Sequence, residues 1–191
     1  MNDLNNKIQI VSFTTSENES PNELLNMFLS FYSHRMIKKS KTVLAFNIEF
    51  PDVNEETKIM ICSIIDFSKD YPGITDVNCY IIFLYLDKEN SLTKLDEILQ
   101  YMKDNCDETK KIFLIGVLKG PSPMITQKDI ISQMEKFGSK YEYHLLKVND
   151  AREVADYILQ IFMYSRQHSI NEEKDESDLK DGGQSHSCII F

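Results

Sequence analysis

The chain lacks long apolar runs and has few basic residues. None of its apolar stretches approaches the ~20 residues that a membrane-spanning helix needs. Residues 1–6 provide neither the basic start nor the apolar segment of a secretion signal, so we expect a cytoplasmic protein. Asp and Glu (30) outnumber Lys and Arg (21), which gives a formal net charge of −9. Since nucleic-acid phosphates are bound by clustered Lys and Arg, we expect no nucleic-acid partner. One short basic cluster, Lys38-Lys39-Ser40-Lys41, is interpreted as a solvated loop after a helix.

Cysteine and histidine are too scattered to predict a metal centre. Cys62, Cys79, Cys106 and Cys188 show no C-x-x-C spacing and no nearby pair of histidines. Two of them lie inside apolar runs, where cysteine behaves as a small buried hydrophobe. We predict neither a metal site nor a disulfide framework, and we interpret His144 as a packed or edge residue rather than a catalyst.

Strand-like runs alternate with helix-like runs, which predicts an α/β fold with a largely parallel sheet. Continuous apolar stretches at residues 80–86 and 112–115 indicate central strands that are buried on both faces. Residues 42–50 and 57–66 are too close in sequence for a helix between them and predict an antiparallel hairpin. We therefore expect three layers: a six-stranded, mostly parallel sheet with one antiparallel edge strand, and helices on both faces. The predicted strands are residues 7–13, 42–50, 57–66, 77–87, 111–118 and 141–148.

Helix signals occupy the segments between these strands. Ser20-Pro21-Asn22-Glu23 is a capping box with proline at the first helical position. Further helices are predicted after Thr126-Gln127-Lys128-Asp129 and from Asp150, and a fourth is predicted near residues 92–102. Apolar residues recur at helical spacing in all four segments, and we interpret them as core positions.

The sequence ends in Cys188-Ile189-Ile190-Phe191, which matches the C-a-a-X pattern read by prenyltransferases. Phenylalanine in the last position predicts a geranylgeranyl group on Cys188. We therefore expect the protein to lie peripherally on the cytosolic face of a membrane.

Residues 165–191 lose the apolar periodicity of the rest of the chain. Residues 171–181 hold six acidic residues and two basic ones, so we predict a folded domain over residues 1–164 and a disordered acidic tail over residues 165–191. An acidic tail does not supply the basic second signal that a single lipid usually needs for stable membrane binding. We therefore expect protein effectors or a lipid-shielding chaperone as partners.

Over residues 7–164 the chain resembles the Ras and Rab superfamily of small GTPases. The clearest segment is Tyr80-Ile81-Ile82-Phe83-Leu84-Tyr85-Leu86-Asp87 followed by Glu89-Asn90-Ser91-Leu92, which is similar to the family's fourth strand and the start of its next helix. Lys111-Ile112-Phe113-Leu114-Ile115-Gly116 is similar to the strand that leads into the guanine-binding loop. The resemblance implies a P-loop GTPase fold.

The family's nucleotide-binding motifs are degenerate in this chain. A phosphate loop needs glycines and a lysine, but residues 12–23 contain neither and carry three glutamates. Asp66 keeps the acid of the Asp-x-x-Gly motif without its glycine, and Val117-Leu118-Lys119-Gly120 stands where the family has Asn-Lys-x-Asp. Lys119 is either a shifted remnant of the base-stacking lysine or an ordinary loop lysine. The degenerate nucleotide-binding positions are thus Ser20, Asn22, Asp66 and Lys119.

The resemblance and the missing motifs together predict a prenylated pseudo-GTPase, with no catalytic residue, metal or cofactor. It would act as a membrane-tethered protein-interaction module in vesicle traffic or membrane signalling. One alternative is a divergent GTP-hydrolysing switch, in which GTP and magnesium are bound and Thr14, Thr15 and Ser16 donate hydroxyls while Thr42 reaches the metal. A second alternative is a soluble interaction domain in which Cys188 is unmodified.

Overall fold

The computed structural model of the 191-residue chain describes residues 7–16, 21–50, 56–64, 76–137, 141–148 and 150–181. Over these residues, seven strands and four helices follow one another along the chain. Their bounds are β1 Lys7–Thr14, α1 Pro21–Leu29, β2 His34–Lys39, β3 Val43–Glu49, β4 Glu56–Ile64, β5 Cys79–Tyr85, α2 Ser91–Asn105, β6 Lys111–Leu118, α3 Gln127–Phe137, β7 Tyr141–Lys147 and α4 Ala151–Asp181.

The strands form a seven-stranded sheet in the order β2-β3-β4-β1-β5-β6-β7. Strand β3 is antiparallel to both of its neighbours, while the pairs β4–β1, β1–β5, β5–β6 and β6–β7 are parallel. The predicted α/β class and mostly parallel sheet are therefore confirmed. The predicted count of six strands is wrong, and the antiparallel strand lies one position inside the edge instead of at it.

The additional strand is β2, which the sequence analysis interpreted in part as a loop. Every residue of β2 is exposed. Its sequence also shows no alternation of apolar and polar residues that could mark it as a strand. Backbone pairing with β3 holds it in the sheet, with a bulge between Met36 and Lys38. Because backbone bonds do not depend on side-chain identity, this kind of edge strand leaves almost no trace in the sequence.

Two hydrophobic cores lie on opposite faces of the sheet. The first contains Ile8 and Ile10 of β1 and the buried faces of α1 and α4. The second contains Val11 and Phe13 of the same strand with the buried residues of α2 and α3. All seven residues of β5 are buried, as expected for a central strand that is covered on both faces. Helices therefore lie on both faces of the sheet.

Two of the predicted helices begin with side-chain caps. At the start of α3, the Thr126 hydroxyl donates to Asp129 Oδ2 at 2.6 Å, and the Asp129 amide donates back to Thr126 Oγ1 at 3.3 Å. The hydroxyl and the amide of Thr126 both donate to the Asp129 carboxyl and lower its pKa. At the start of α4, Asp150 Oδ1 accepts from the Glu153 amide at 3.0 Å. Both arrangements satisfy backbone donors that a helix start otherwise leaves unpaired.

Helix α4 continues well past residue 164, where the sequence analysis ended the folded domain. The helix extends to Asp181, 17 residues beyond the boundary placed at residue 164. Ser165 is fully buried, and its hydroxyl donates to the carbonyl of Ile161 at 2.9 Å. A helix whose first turns are held by packing needs no new nucleation, and each further residue adds one backbone hydrogen bond. Over the described residues, no helix is both long and apolar enough to cross a membrane.

Candidate functional site

The carboxyl ends of the parallel strands β1, β5 and β6 meet at one edge of the sheet. In open α/β sheets, ligands and partners bind in the crevice outside these strand ends. The segments that follow these strands carry the hydroxyls of Thr15 and Ser16, the carboxylate of Asp87 and the ammonium group of Lys119. This edge also faces the first turn of α1, as the contact between Lys119 and Glu23 shows. We therefore take this edge as the candidate site.

Thr15 links the end of β1 to β5 and α2. Its amide donates to the carbonyl of Phe83 at 3.0 Å. Its hydroxyl accepts from the amide of Tyr85 at 3.0 Å and donates to the hydroxyl of Ser91 at 3.0 Å. Thr15 and Ser91 are both buried. The Thr15 hydroxyl is thus committed to internal bonds, which fix the first residues after β1.

An open polar cleft of about 580 Å³ lies between the end of β1 and the start of α2. Its walls carry two cations and two carboxylates. Lys94 donates to Glu97 across 2.7 Å, so part of this charge is neutralised within the cleft. The lining residues are Thr15, Ser16, Lys88, Glu89, Asn90, Thr93, Lys94 and Glu97.

Lys119 and Glu23 form an ion pair across the candidate site. Lys119 Nζ lies 2.7 Å from Glu23 Oε2, although the two residues are 96 positions apart in the sequence. The same ammonium group lies 5.6 Å from the ring centroid of Tyr85. The side chains are 24% and 51% exposed, so the pair is partly shielded from water on the lysine side. Its carboxylate lies in the first turn of α1, next to the positive end of the helix dipole.

A second carboxylate, that of Asp87, lies close to the loop that follows β6. A Cβ added at Gly120 would lie 3.3 Å from the Cβ and Oδ2 atoms of Asp87, so the loop after β6 packs directly on this aspartate. Asp87 Oδ1 is buried and has no hydrogen-bond partner among the described residues. The sequence predicts no site role for Asp87 or Ser91, and it places Glu23 in the degenerate phosphate loop without indicating a partner for its carboxylate. The bonds of Glu23 to Lys119 and of Ser91 to Thr15 join distant segments, which is why local sequence gives no signal for them.

The segment after α1 is fixed against α4. The Tyr32 hydroxyl donates to Asp156 Oδ1 at 3.2 Å, and burial together with this bond raises the pKa of Tyr32. The Arg152 guanidinium lies 5.5 Å from the ring centroid of Phe31 and bonds to Asp156 at 3.0 Å. Lys39, at the end of β2, donates to the side-chain oxygen of Asn26 on α1 at 3.1 Å. These contacts hold β2 in place at the edge of the sheet.

Lys119 is the predicted site residue whose surroundings the structure describes. Asn22 lies in the first turn of α1, and its side chain is outside the described part of the chain. Ser20, Asp66 and Cys188 also lie outside the described residues. Within the described ranges, no group of three or more His, Cys, Asp or Glu side chains could hold a metal ion.

Comparisons with known proteins give no family assignment. No protein-family model matches the chain, and no curated protein matches it. The relation to the Ras and Rab superfamily therefore stays a prediction from the sequence pattern.

Proposed function

We propose that the chain is a pseudo-GTPase with the P-loop fold of the Ras and Rab superfamily, which does not hold a guanine nucleotide. In this proposal it acts as a fixed protein-interaction module, tethered at the cytosolic face of a membrane in vesicle traffic or membrane signalling. The observation that carries the proposal is the Glu23–Lys119 ion pair at the carboxyl edge of the sheet.

The order of the elements supports the fold assignment. Strand β1 leads directly into α1, the antiparallel pair β3–β4 follows, and alternating helices and parallel strands complete the chain. The resemblance noted in the sequence follows the same order from β1 to α4. Strand β2 is an addition at the edge and leaves the order of the other six strands intact.

The electrostatics of the site support the loss of nucleotide binding. The start of a helix attracts phosphate because its free amides and its dipole are positive. Here Glu23 already provides a carboxylate in the first turn of α1 and holds Lys119 in an ion pair. A phosphate brought to this helix start would meet the like charge of Glu23, and Lys119 could attract the phosphate only by giving up its pairing with Glu23.

The fixed segment after α1 supports a constant rather than a switching surface. Nucleotide-driven switches order and release a segment in response to the γ-phosphate. In this chain the corresponding segment is held by Tyr32, Phe31 and Lys39 through contacts with α1 and α4. The Thr15 hydroxyl, which the GTP-binding alternative would use, is bonded to Tyr85 and Ser91. These contacts favour the pseudo-GTPase over the divergent switch.

Thermal denaturation with nucleotide tests this proposal. We expect GTP with magnesium to leave the melting temperature of the full-length protein unchanged, as ATP with magnesium does. A ligand present at a hundred times its dissociation constant would stabilise the fold by ~2.7 kcal/mol, which corresponds to a rise of several degrees in a domain of this size. A rise with GTP but not with ATP would show a working guanine site and favour the divergent switch.

We further propose that Cys188 carries the membrane anchor. Replacing Cys188 with serine is expected to move the protein from membranes to the cytosol, whereas the neighbouring Ser187→Ala, which leaves the C-a-a-X box intact, should not. Mass spectrometry of the native C-terminus is the direct measurement and should detect a geranylgeranyl group. An unmodified Cys188 with Phe191 still attached would instead favour the soluble interaction domain.

A further inference from the structure

We propose that β2 binds an extended, acidic segment of a partner protein, which adds to the sheet as an eighth strand. This inference rests on the proposed function, because it names the partner chemistry of the interaction module. The observation behind it is that the edge strand of the sheet is basic, although the protein as a whole is acidic.

Among the described residues, one side of the β2 backbone has no neighbouring strand. Strand β2 ends the strand order, with β3 as its one neighbour among the described strands, and all six of its residues are exposed. The edge of a sheet presents backbone N–H and C=O groups that a further strand can pair with. Main-chain pairing of this kind is a common way to recognise an extended peptide.

The charge of the segment indicates what such a strand should carry. Residues 34–41 include Arg35, Lys38, Lys39 and Lys41 and no acidic residue, although the whole chain has a net charge of −9. Arg35 is paired with Glu56 at 2.9 Å, and Lys39 is bonded to the neutral amide of Asn26. Within the described residues, Lys38 and Lys41 have no carboxylate partner. An acidic segment would therefore meet positive charge that the described part of the chain does not neutralise.

The distribution of the bases between the two faces fits a strand. Lys39 is paired with Leu44 and projects toward the face of the first core, whereas Arg35 and Lys38 are paired with Asn47 and Ala45 on the opposite face. Successive side chains of an added strand also alternate between the two faces. Such a strand can bring carboxylates to both sets of bases and satisfy the backbone groups of β2 at the same time. An anionic membrane offers charge but no matching backbone.

The same charges argue against a second copy of this chain as the occupant. Pairing β2 with another β2 would set lysines and arginine against the same cations, and like charges on opposed strands are destabilising. Lysines on an edge strand are a known device against self-association. They remove the second copy but leave an acidic strand attractive, which makes the edge selective by charge.

A peptide as long as β2, rich in glutamate and β-branched residues, is a suitable probe for the full-length protein. We expect it to bind and to protect the amides of residues 34–39 from hydrogen exchange. Its Lys-for-Glu counterpart should not bind, and a version that is N-methylated at alternate amides should lose binding because it cannot pair with the backbone. Equal binding of the N-methylated acidic peptide would show charge attraction without strand addition and would overturn the proposal.

Charge variants locate the binding to β2. The double variant Lys38→Glu/Lys39→Glu is expected to weaken binding of the acidic peptide at least about tenfold. A matched control, Lys103→Glu/Lys128→Glu, changes the net charge equally at exposed positions on α2 and α3 and should bind like the wild type. If both variants weaken binding equally, the effect comes from net charge alone and the assignment to β2 is wrong.

Two further measurements separate this inference from its competitors. Binding of the wild-type protein to vesicles containing phosphatidylserine, without any binding of the acidic peptide, would replace the strand partner with a membrane. Concentration-dependent dimerisation that Lys38→Glu/Lys39→Glu abolishes would replace it with a second copy. A GTP-specific rise in melting temperature would overturn the pseudo-GTPase proposal while leaving the peptide result intact, so failures of the two proposals are distinguishable.

Discussion

Replacing Phe28 with alanine is expected to lower the free energy of unfolding by about 3–5 kcal/mol. Phe28 is fully buried and joins three elements of the first core. Its ring stacks on Tyr32 at 4.8 Å between centroids and meets Phe162 of α4 edge-on at 5.0 Å. It also lies 6.4 Å from the ring of Phe46 on β3. Chemical denaturation of the variant and the wild type measures the difference.

A matched control is Phe28→Leu, which keeps most of the apolar volume and should cost clearly less than the alanine substitution. Because Phe28 lies between the Tyr32 contact and the core, the alanine variant is also expected to increase hydrogen exchange at residues 34–39. An alanine variant as stable as the wild type would mean that α1 does not pack on α4 as described.

Replacing Thr15 with valine is expected to destabilise the protein by about 1–3 kcal/mol, because valine keeps the shape but removes the hydroxyl. The amide of Tyr85 and the hydroxyl of Ser91 then lose their bonds to Thr15. Ser91 is fully buried, so water does not readily replace the lost partner. The measurement is the change in denaturation midpoint at constant slope.

Thr15→Ser serves as the control, since it retains the hydroxyl and should restore most of the stability. This pair of variants also tests the site. If Thr15 donates to a bound phosphate, as the divergent switch requires, Thr15→Val would abolish a GTP-dependent rise in melting temperature that the wild type shows. In the pseudo-GTPase neither protein shows such a rise, and the two variants differ in stability alone.

The central part of the fold could be predicted because buried positions require apolar residues. Strands β5 and β6 are continuous apolar runs, and a run of that length is the direct signature of a strand covered on both faces. Helix α3 was predicted for a similar local reason, since apolar residues recur at helical spacing after Thr126-Gln127-Lys128-Asp129.

The edges of the fold could not be predicted in the same way. Strand β2 exists because β3 offers backbone partners, and its six exposed residues show no pattern of burial. The extension of α4 to Asp181 follows from a helix that is already packed against the sheet, whereas residues 171–181 by themselves are acidic and lack apolar periodicity. In both cases the neighbouring structure, and not the local composition, sets the conformation.

At the candidate site, too, some features could be predicted from the local sequence and others depend on the tertiary structure. The absence of glycine and lysine from residues 12–23 could be read directly from the sequence and motivated the expectation that nucleotide binding is lost. The pairing of Glu23 with Lys119 could not be foreseen, because 96 residues separate the two side chains. The bond between Thr15 and Ser91 spans 76 residues and was equally hidden.

The sequence by itself thus determined the α/β class, the buried central strands and the charge of each segment, since these depend on residue type and on spacing within one element. The tertiary structure decided the seventh strand, the length of α4 and the partners of Glu23, Lys119 and Thr15. The physical reason is that hydrophobic burial depends on the type of each single residue. Backbone pairing and ion pairs between distant segments depend instead on the positions of both partners in the folded chain.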